Sequence, residues 1–247
     1  MTSWLTGRVI ENRQWTDTLF SLRVEAPGLA FQAGQFVRIA LDVDGERVAR
    51  AFSFVNPPQD PVLEFYGVIV PGGPLSPRLA RLRAGDALQI ASNPAGFLVL
   101  REVPDARTLW LLSTGTGLAP FLSILRSEAP WQRFREVVLV HAVRHARELT
   151  YRDMISALQE QRGPALRYVT FVSREAAPRS LAGRIPAAIG DGRLETAAGA
   201  RLSAETSQVL LCGNPDMLKD AGAALAGRGL RKHRRRAPGH VTTESFW

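Results

Sequence analysis

The sequence predicts two domains of different architecture: an N-terminal antiparallel β-barrel over residues 1–101 and an α/β domain with a parallel sheet over residues 102–247. Three observations predict this. Closely spaced apolar runs, separated by Gly, Pro and Asp turn signals, fill the first hundred residues. After Arg101 the apolar runs alternate with longer stretches of helical character. With 247 residues, 45% of them hydrophobic, the chain can bury one large core or two ordinary ones.

In the first half, residues 19–24 alternate apolar and polar side chains, as a half-buried strand does. Residues 36–41 and 48–54 flank Asp44-Gly45, a hairpin-turn signal. Residues 62–70 and 87–91 are two further β-rich runs, and residues 76–82 suit a short helix. In the second half, strands are expected at 109–112, 137–143, 166–172 and 209–212, with helices over 121–127, 153–161 and 216–226. There is no internal repeat and no long linker.

The charge and the rare residues bound the chemistry. A formal net charge of +8 favours acidic partners: nucleic acid, an anionic membrane or an acidic protein. The lone Cys212 excludes an intrachain disulfide and a four-cysteine iron–sulfur site. Four scattered histidines offer no zinc spacing, so no metal is expected. The first 20 residues hold charges and no signal-like apolar core, and no apolar run approaches the roughly 20 residues of a membrane helix. The expected protein is soluble and cytoplasmic.

Six segments carry chemistry. Gly115-Thr116-Gly117-Leu118-Ala119-Pro120 follows an apolar strand and precedes a helix, where glycines let the backbone approach a phosphate and the helix start offers free N–H groups. A plain αβ turn gives the same pattern. The next strand ends Val143-Arg144, where an NAD-specific domain would place an acid; an arginine there suits the 2′-phosphate of NADP. Ser173 and Arg174 end the strand after that, and Arg184 lies ten residues on. Solvated surface arginines are the alternative. In Arg50-Ala51-Phe52-Ser53-Phe54, alternation puts Arg50 and Phe52 on one face and Ser53 on the other. This suits pyrophosphate binding and ring stacking, although an ordinary strand reads the same way. Gly72-Gly73-Pro74-Leu75-Ser76 opens the short helix, with Ser76 expected as its N-cap. In Cys212-Gly213-Asn214-Pro215-Asp216, Asn214 caps a helix and Pro215 takes its first position. Cys212 falls at the carboxyl end of a strand, as a ligand-facing thiol or a small buried hydrophobe. Finally, a basic run over 231–236 precedes an aromatic end at Phe246-Trp247. An exposed indole usually covers a surface, here an adenine or its own domain.

Taken in order, Arg-Ala-Phe-Ser at 50–53, Gly-Pro-Leu-Ser at 73–76, Gly-Thr-Gly-Leu-Ala-Pro at 115–120, Val-Ser-Arg at 172–174 and Cys-Gly-Asn-Pro-Asp-Met at 212–217 resemble the bacterial ferredoxin(flavodoxin)–NADP⁺ reductase family over essentially the whole chain. The ending Pro-Gly-His-Val-Thr-Thr-Glu-Ser-Phe-Trp is similar to the enterobacterial branch. The resemblance implies FAD held by Arg50, Ala51, Phe52, Ser53, Tyr66, Gly67, Val68, Pro74, Leu75, Ser76, Thr116, Phe246 and Trp247, with the tail returning to the FAD. It implies NADP held by Val143, Arg144, Ser173, Arg174, Arg184, Asn214, Pro215 and Asp216. Ser53, Cys212 and Glu244 would tune the reacting centre. The implied activity is hydride transfer from NADPH to flavin, then single electrons to an acidic carrier, ferredoxin or flavodoxin, by a monomer that binds neither nucleic acid nor membrane. One position departs from the family: Phe52 stands where its motif carries Tyr. The ring survives and the phenolic hydrogen bond, worth about 0.5–1.5 kcal/mol, does not. Two other readings stay open, a flavin-dependent NAD(P)H reductase serving an oxygenase and a basic nucleic-acid-binding protein.

Overall fold

A computed structural model describes residues 3–245. Its N-terminal half is a six-stranded antiparallel sheet in the order β4-β3-β6-β1-β2-β5. The strands are β1 (Trp4–Gln14), β2 (Leu19–Glu25), β3 (Phe36–Val43), β4 (Glu46–Ser53), β5 (Val62–Val68) and β6 (Ala87–Ala91). Asp44 and Gly45, both at positive φ (53° and 83°), make the tight turn between β3 and β4. The two edge strands meet where Phe54 bridges Phe65 and the Val55 N–H donates to Glu64 O at 2.8 Å, which rolls the sheet into a barrel. Its interior is packed by Phe20, Leu22, Ile39, Phe54, Phe65 and Ile90. Helix α1 (Ser76–Leu79) closes one end with Leu75 and Leu79, and Asn12 Nδ2 donates to the carbonyls of Leu79 and Leu82 (3.2 and 2.8 Å).

Two expectations for this half need correction. Leu75, not Ser76, is the N-cap of α1 and makes no side-chain cap bond; the Ser76 hydroxyl instead accepts the Val70 N–H at 2.9 Å. Pro77 inside the first turn removes one donor, so a capping hydroxyl has less to satisfy. The start of β2 does not alternate: Leu19 to Leu22 are all buried, because the outer face of the barrel is covered by the second half of the chain.

That second half is a parallel sheet in the order β10-β9-β8-β7-β11-β12. The strands are β7 (Thr108–Thr114), β8 (Glu136–Val143), β9 (Leu166–Val172), β10 (Leu181–Ala182), β11 (Ser207–Gly213) and β12 (Val241–Ser245). Along β7, β8 and β11 nearly every residue is buried, as a sheet covered on both faces requires. Helices α2 (Ala119–Leu125), α3 (Ala129–Arg133) and α4 (Arg152–Arg162) lie on the face turned toward the barrel. On the other face are α5 (Ile185–Gly190), α6 (Arg193–Ala198) and α7 (Pro215–Gly227). Sequence periodicity missed β1, β10, β12, α3, α5 and α6. Of these, β12 matters most, because it carries the end of the chain into the sheet beside β11.

The halves share one core. Leu19, Val55, Tyr66 and Leu98 pack with Leu118, Phe121 and Leu122. Two buried bonds and one partly buried bond stitch the seam: Ser123 Oγ donates to Asn56 O (2.7 Å), Thr150 Oγ1 to the Tyr66 hydroxyl (2.9 Å) and the Tyr151 hydroxyl to Glu64 Oε1 (2.8 Å).

Candidate active site and nucleotide-binding crevice

After the neighbouring strands β7 and β11 the chain turns to opposite faces, to α2 and to α7. A crevice opens between their carboxyl ends, the place where open α/β sheets bind ligands. Gly115 enters the first loop at φ +53° with open space where a side chain would stand. Gly117 is pressed on the second loop, and a Cβ there would overlap the Cys212 carbonyl. Gly213 sits at φ +139°, and a Cβ there would strike the Thr114 hydroxyl. That hydroxyl accepts the Asn214 N–H at 3.0 Å and ties the loops together. Asn214 Oδ1 caps α7 by accepting the N–H groups of Asp216 (2.8 Å) and Met217 (3.3 Å), with Pro215 in the first position, as the sequence predicts.

Along the same carboxyl edge lie the strand-end arginines. The Arg174 N–H donates to Arg144 O at 2.9 Å, so the residues that follow β8 and β9 are adjacent. Both the amide and the hydroxyl of Ser173 donate to Val143 O (3.1 and 3.2 Å). Arg184 begins α5 just after β10, which pairs with the end of β9. The side chains of Arg144, Arg174 and Arg184 are exposed, and among the described residues none joins an ion pair. Three uncompensated guanidinium groups on one rim suit a phosphate.

The barrel meets the crevice through β4 and β5. Phe52 is half-buried and Ser53 buried, while Arg50 and Ala51 are exposed. Arg50 Nη1 donates to Ala49 O (2.8 Å), and among the described residues the rest of its fork has no partner. A Cβ on Gly67 would come within 2.8 Å of the Phe20 ring and 3.0 Å of the Phe52 ring, so the missing side chain brings β5 close under Phe52. The turn at 115–118, with half-buried Thr116, packs against both β5 and β11. The Ser76 hydroxyl accepts the Val70 amide two residues past β5 and so ties the start of α1 to the chain leaving β5; Leu75 is buried and Pro74 exposed.

Glu244 closes the group from β12. It stands in register with Cys212, and its carboxylate oxygens lie 3.1 and 3.3 Å from where a Gly96 Cβ would be. Gly96 also abuts Phe36, which pairs with Ser53. Ser53, Glu244 and Cys212 are thus linked through two intervening residues. Burial raises the Glu244 carboxyl to about 7, against the opposing pull of the Phe97 and Leu98 amides. Its Oε2 is buried and has no hydrogen-bond partner among the described residues. Burial, and then the nearby Glu244 charge, pushes the Cys212 thiol well above its ordinary range, so it is a neutral thiol and no nucleophile at neutral pH. Phe246 and Trp247, expected on FAD, lie outside the described residues.

Sequence reasoning missed four participants: Thr114, Gly96, His141 and Tyr151. His141 is wholly buried, and its Nε2 lies 3.2 Å from Gly115 O. A lone histidine inside an apolar strand gave no signal. Tyr151 adopts φ +57°, rare for a bulky residue, with its ring set edge-on to Tyr66 (5.3 Å between centroids). Nothing in its local sequence marks that contact.

A barrel and a parallel sheet joined around such a crevice define a two-domain flavin- and nicotinamide-nucleotide-binding oxidoreductase. Residues 7–98 match the oxidoreductase FAD-binding domain family and residues 111–222 the oxidoreductase NAD-binding domain family. The chain is 52% identical over 248 residues to the flavodoxin/ferredoxin–NADP reductase of Escherichia coli, with all of both chains covered. It is 38% identical over 240 residues to the ferredoxin–NADP reductase of Pseudomonas aeruginosa, covering 94% of this chain and 92% of that one. A crystal structure of a ferredoxin NADP⁺ reductase from Neisseria gonorrhoeae, with bound FAD and NADP, superposes with a TM-score of 0.95 at 32% identity over the full length of both chains. The chain belongs to the flavodoxin/ferredoxin–NADP reductase family.

Proposed function

We propose that this protein is an FAD-dependent reductase that takes a hydride from NADPH and passes single electrons to ferredoxin or flavodoxin. The observation that carries this reading is the set of three exposed arginines, unpaired among the described residues, on the carboxyl edge that also holds the glycine-pinned loops after β7 and β11, in a chain of this family. The residues fit the two nucleotides. Gly115 leaves open space on the turn after β7 where a phosphorylated group can approach, while Gly67 and Gly117 let the elements around it pack closely. Arg50, Arg144, Arg174 and Arg184 offer free cationic forks.

Bound FAD would supply the exchange between a two-electron donor and a one-electron acceptor. The protein's own work is to bind and orient. Arg50 and the Pro74-Leu75-Ser76 turn would hold the FAD pyrophosphate, while Ala51, Phe52, Ser53, Tyr66, Gly67 and Val68 would line the flavin. Val143, Arg144, Ser173, Arg174 and Arg184 hold the phosphorylated adenosine of NADP, and Asn214, Pro215 and Asp216 border its nicotinamide half. Thr116 marks the meeting point of the two. Ser53, Cys212 and Glu244 keep that point narrow and dry. The FAD half spans 1–101 and the NADP half 102–247. The net charge of +8 suits an acidic protein carrier. We further read the protein as a cytoplasmic monomer with no nucleic-acid partner; among the described residues no helix is long and apolar enough to cross a membrane.

The test is a visible absorption spectrum before and after anaerobic NADPH. A flavin spectrum that bleaches with NADPH, and far more slowly with NADH, is expected. A protein that cannot be reconstituted with FAD overturns the reading.

A further inference from the structure

His141 lies two residues before the end of strand β8, in register with Ser113 of β7 and Thr170 of β9. It is completely buried. One ring nitrogen, Nδ1, has no partner among the described residues; the other lies 3.2 Å from the Gly115 carbonyl. A buried imidazole with one orphaned nitrogen is costly, and a leucine would pack there without that cost. The one contact that offsets this cost is the bond to the Gly115 carbonyl. Burial lowers its pKa to about 4, so at neutral pH the ring is uncharged. Facing a carbonyl, Nε2 must carry the one proton and donate it.

The contact has a geometric consequence. In a trans peptide the C=O and the following N–H point in opposite directions. With Gly115 O facing His141, the Thr116 N–H points the opposite way, away from the His141 ring. Gly115, at φ +53° with open space around it, could otherwise let this peptide rotate.

We propose that His141 is a positioning residue for the pyridine nucleotide: by holding the Gly115 carbonyl it locks the glycine turn with the Thr116 N–H aimed at the diphosphate–nicotinamide half of NADP(H). This rests on the NADP-dependent reading given above. The contact lies on the β7 loop, apart from the arginine rim at the ends of β8 and β9, so its effect is confined to one half of the nucleotide.

The FAD-loaded full-length protein carries the test. Binding of NADP⁺ and of 2′-phospho-AMP, the adenosine half alone, is titrated by difference absorbance for the wild type and for His141→Gln, His141→Asn and His141→Leu. Gln places an amide N–H where Nε2 stands; Asn reaches only to the Nδ1 position, and Leu has no donor. NADP⁺ affinity is expected to fall 5- to 10-fold in the Asn and Leu variants and to return to within about twofold of wild type in Gln, with 2′-phospho-AMP affinity unchanged throughout. In turnover with ferricyanide, the KM for NADPH should rise in parallel while kcat changes less. Should Leu fail to fold, the Gln–Asn pair still decides. Equal weakening of both ligands, or a Gln variant no better than Asn, overturns the proposal. A wild-type protein that binds neither ligand would instead refute the NADP reading itself.

Discussion

The two sheets of this molecule build their parts of the crevice in different ways. In the parallel sheet most of the candidate groups come from loops at the carboxyl edge, 115–118 after β7, Arg144 after β8, Arg174 after β9 and 214–216 after β11, with Val143, Cys212 and Glu244 at or near the ends of the strands themselves. The strands are buried on both faces and contribute rigidity. In the antiparallel half most of the candidate groups lie on the strands themselves, on β4 and β5, where the two edges of the barrel meet, with Pro74, Leu75 and Ser76 at the start of α1. Parallel topology gathers ligand groups at one edge because all its strands end there. An antiparallel barrel gathers them only where its closure brings distant strands together, so side-chain size at the closure matters as much as chemistry.

Four experiments test that contrast, from the largest expected effect to the smallest. Gly117→Ala forces a Cβ into the Cys212 backbone, which cannot yield as a side chain does. About 3 kcal/mol or more of stability should be lost in urea denaturation, at the upper end for overpacking. Wild-type stability with intact NADP⁺ binding would break the account of the paired loops.

Glu244 is the second. Its folded pKa, about 7, lies above the ordinary carboxylate value, so the folded state holds the proton more tightly. This contribution is fully present below about pH 4.5 and is lost as pH rises through 7, with an upper limit of about 3 kcal/mol. Chemical denaturation from pH 5 to 8 should show a fall in stability that Glu244→Gln flattens. Identical pH profiles for the two proteins would show that the carboxyl is solvated.

Replacing Arg144 and Arg174 together with Ala removes the rim while leaving the loops intact. About 2–3 kcal/mol of NADPH binding should disappear, as expected for charge-assisted bonds to a phosphate, with NADH nearly unaffected. Equal losses for both nucleotides would place the 2′-phosphate elsewhere. The mildest is Gly67→Ala, at the barrel closure. The added methyl meets aromatic ring edges that can shift by a few tenths of an ångström. A cost of about 1–2 kcal/mol is expected, read as faster FAD loss on gel filtration. If the loss matches that of Gly117→Ala, closure is as rigid as the loop pair, and the contrast fails.

Much of this site was legible in the linear chain. The turn at 115–118, the Asn214-Pro215 cap and the strand-end arginines are local signals, since each depends on a strand ending and a helix starting within a few residues. The hairpin at Asp44-Gly45 is of the same kind. Ser76 was misread because its hydroxyl has two possible donors, the amides of its own helix and that of Val70, and only the packed loop selects between them.

Composition and periodicity by themselves determined the change of architecture near residue 101, the phosphate-type turn and the cationic character of the chain, because these rest on neighbours in sequence. The tertiary structure alone decided that β12 returns beside β11, that Glu244 faces Gly96 and Cys212, that Phe52 lies over Gly67, and that His141 reaches the Gly115 carbonyl. Each of these joins residues far apart along the chain, and its energy comes from burial and unsatisfied polar atoms. Neither quantity exists until the two sheets have packed.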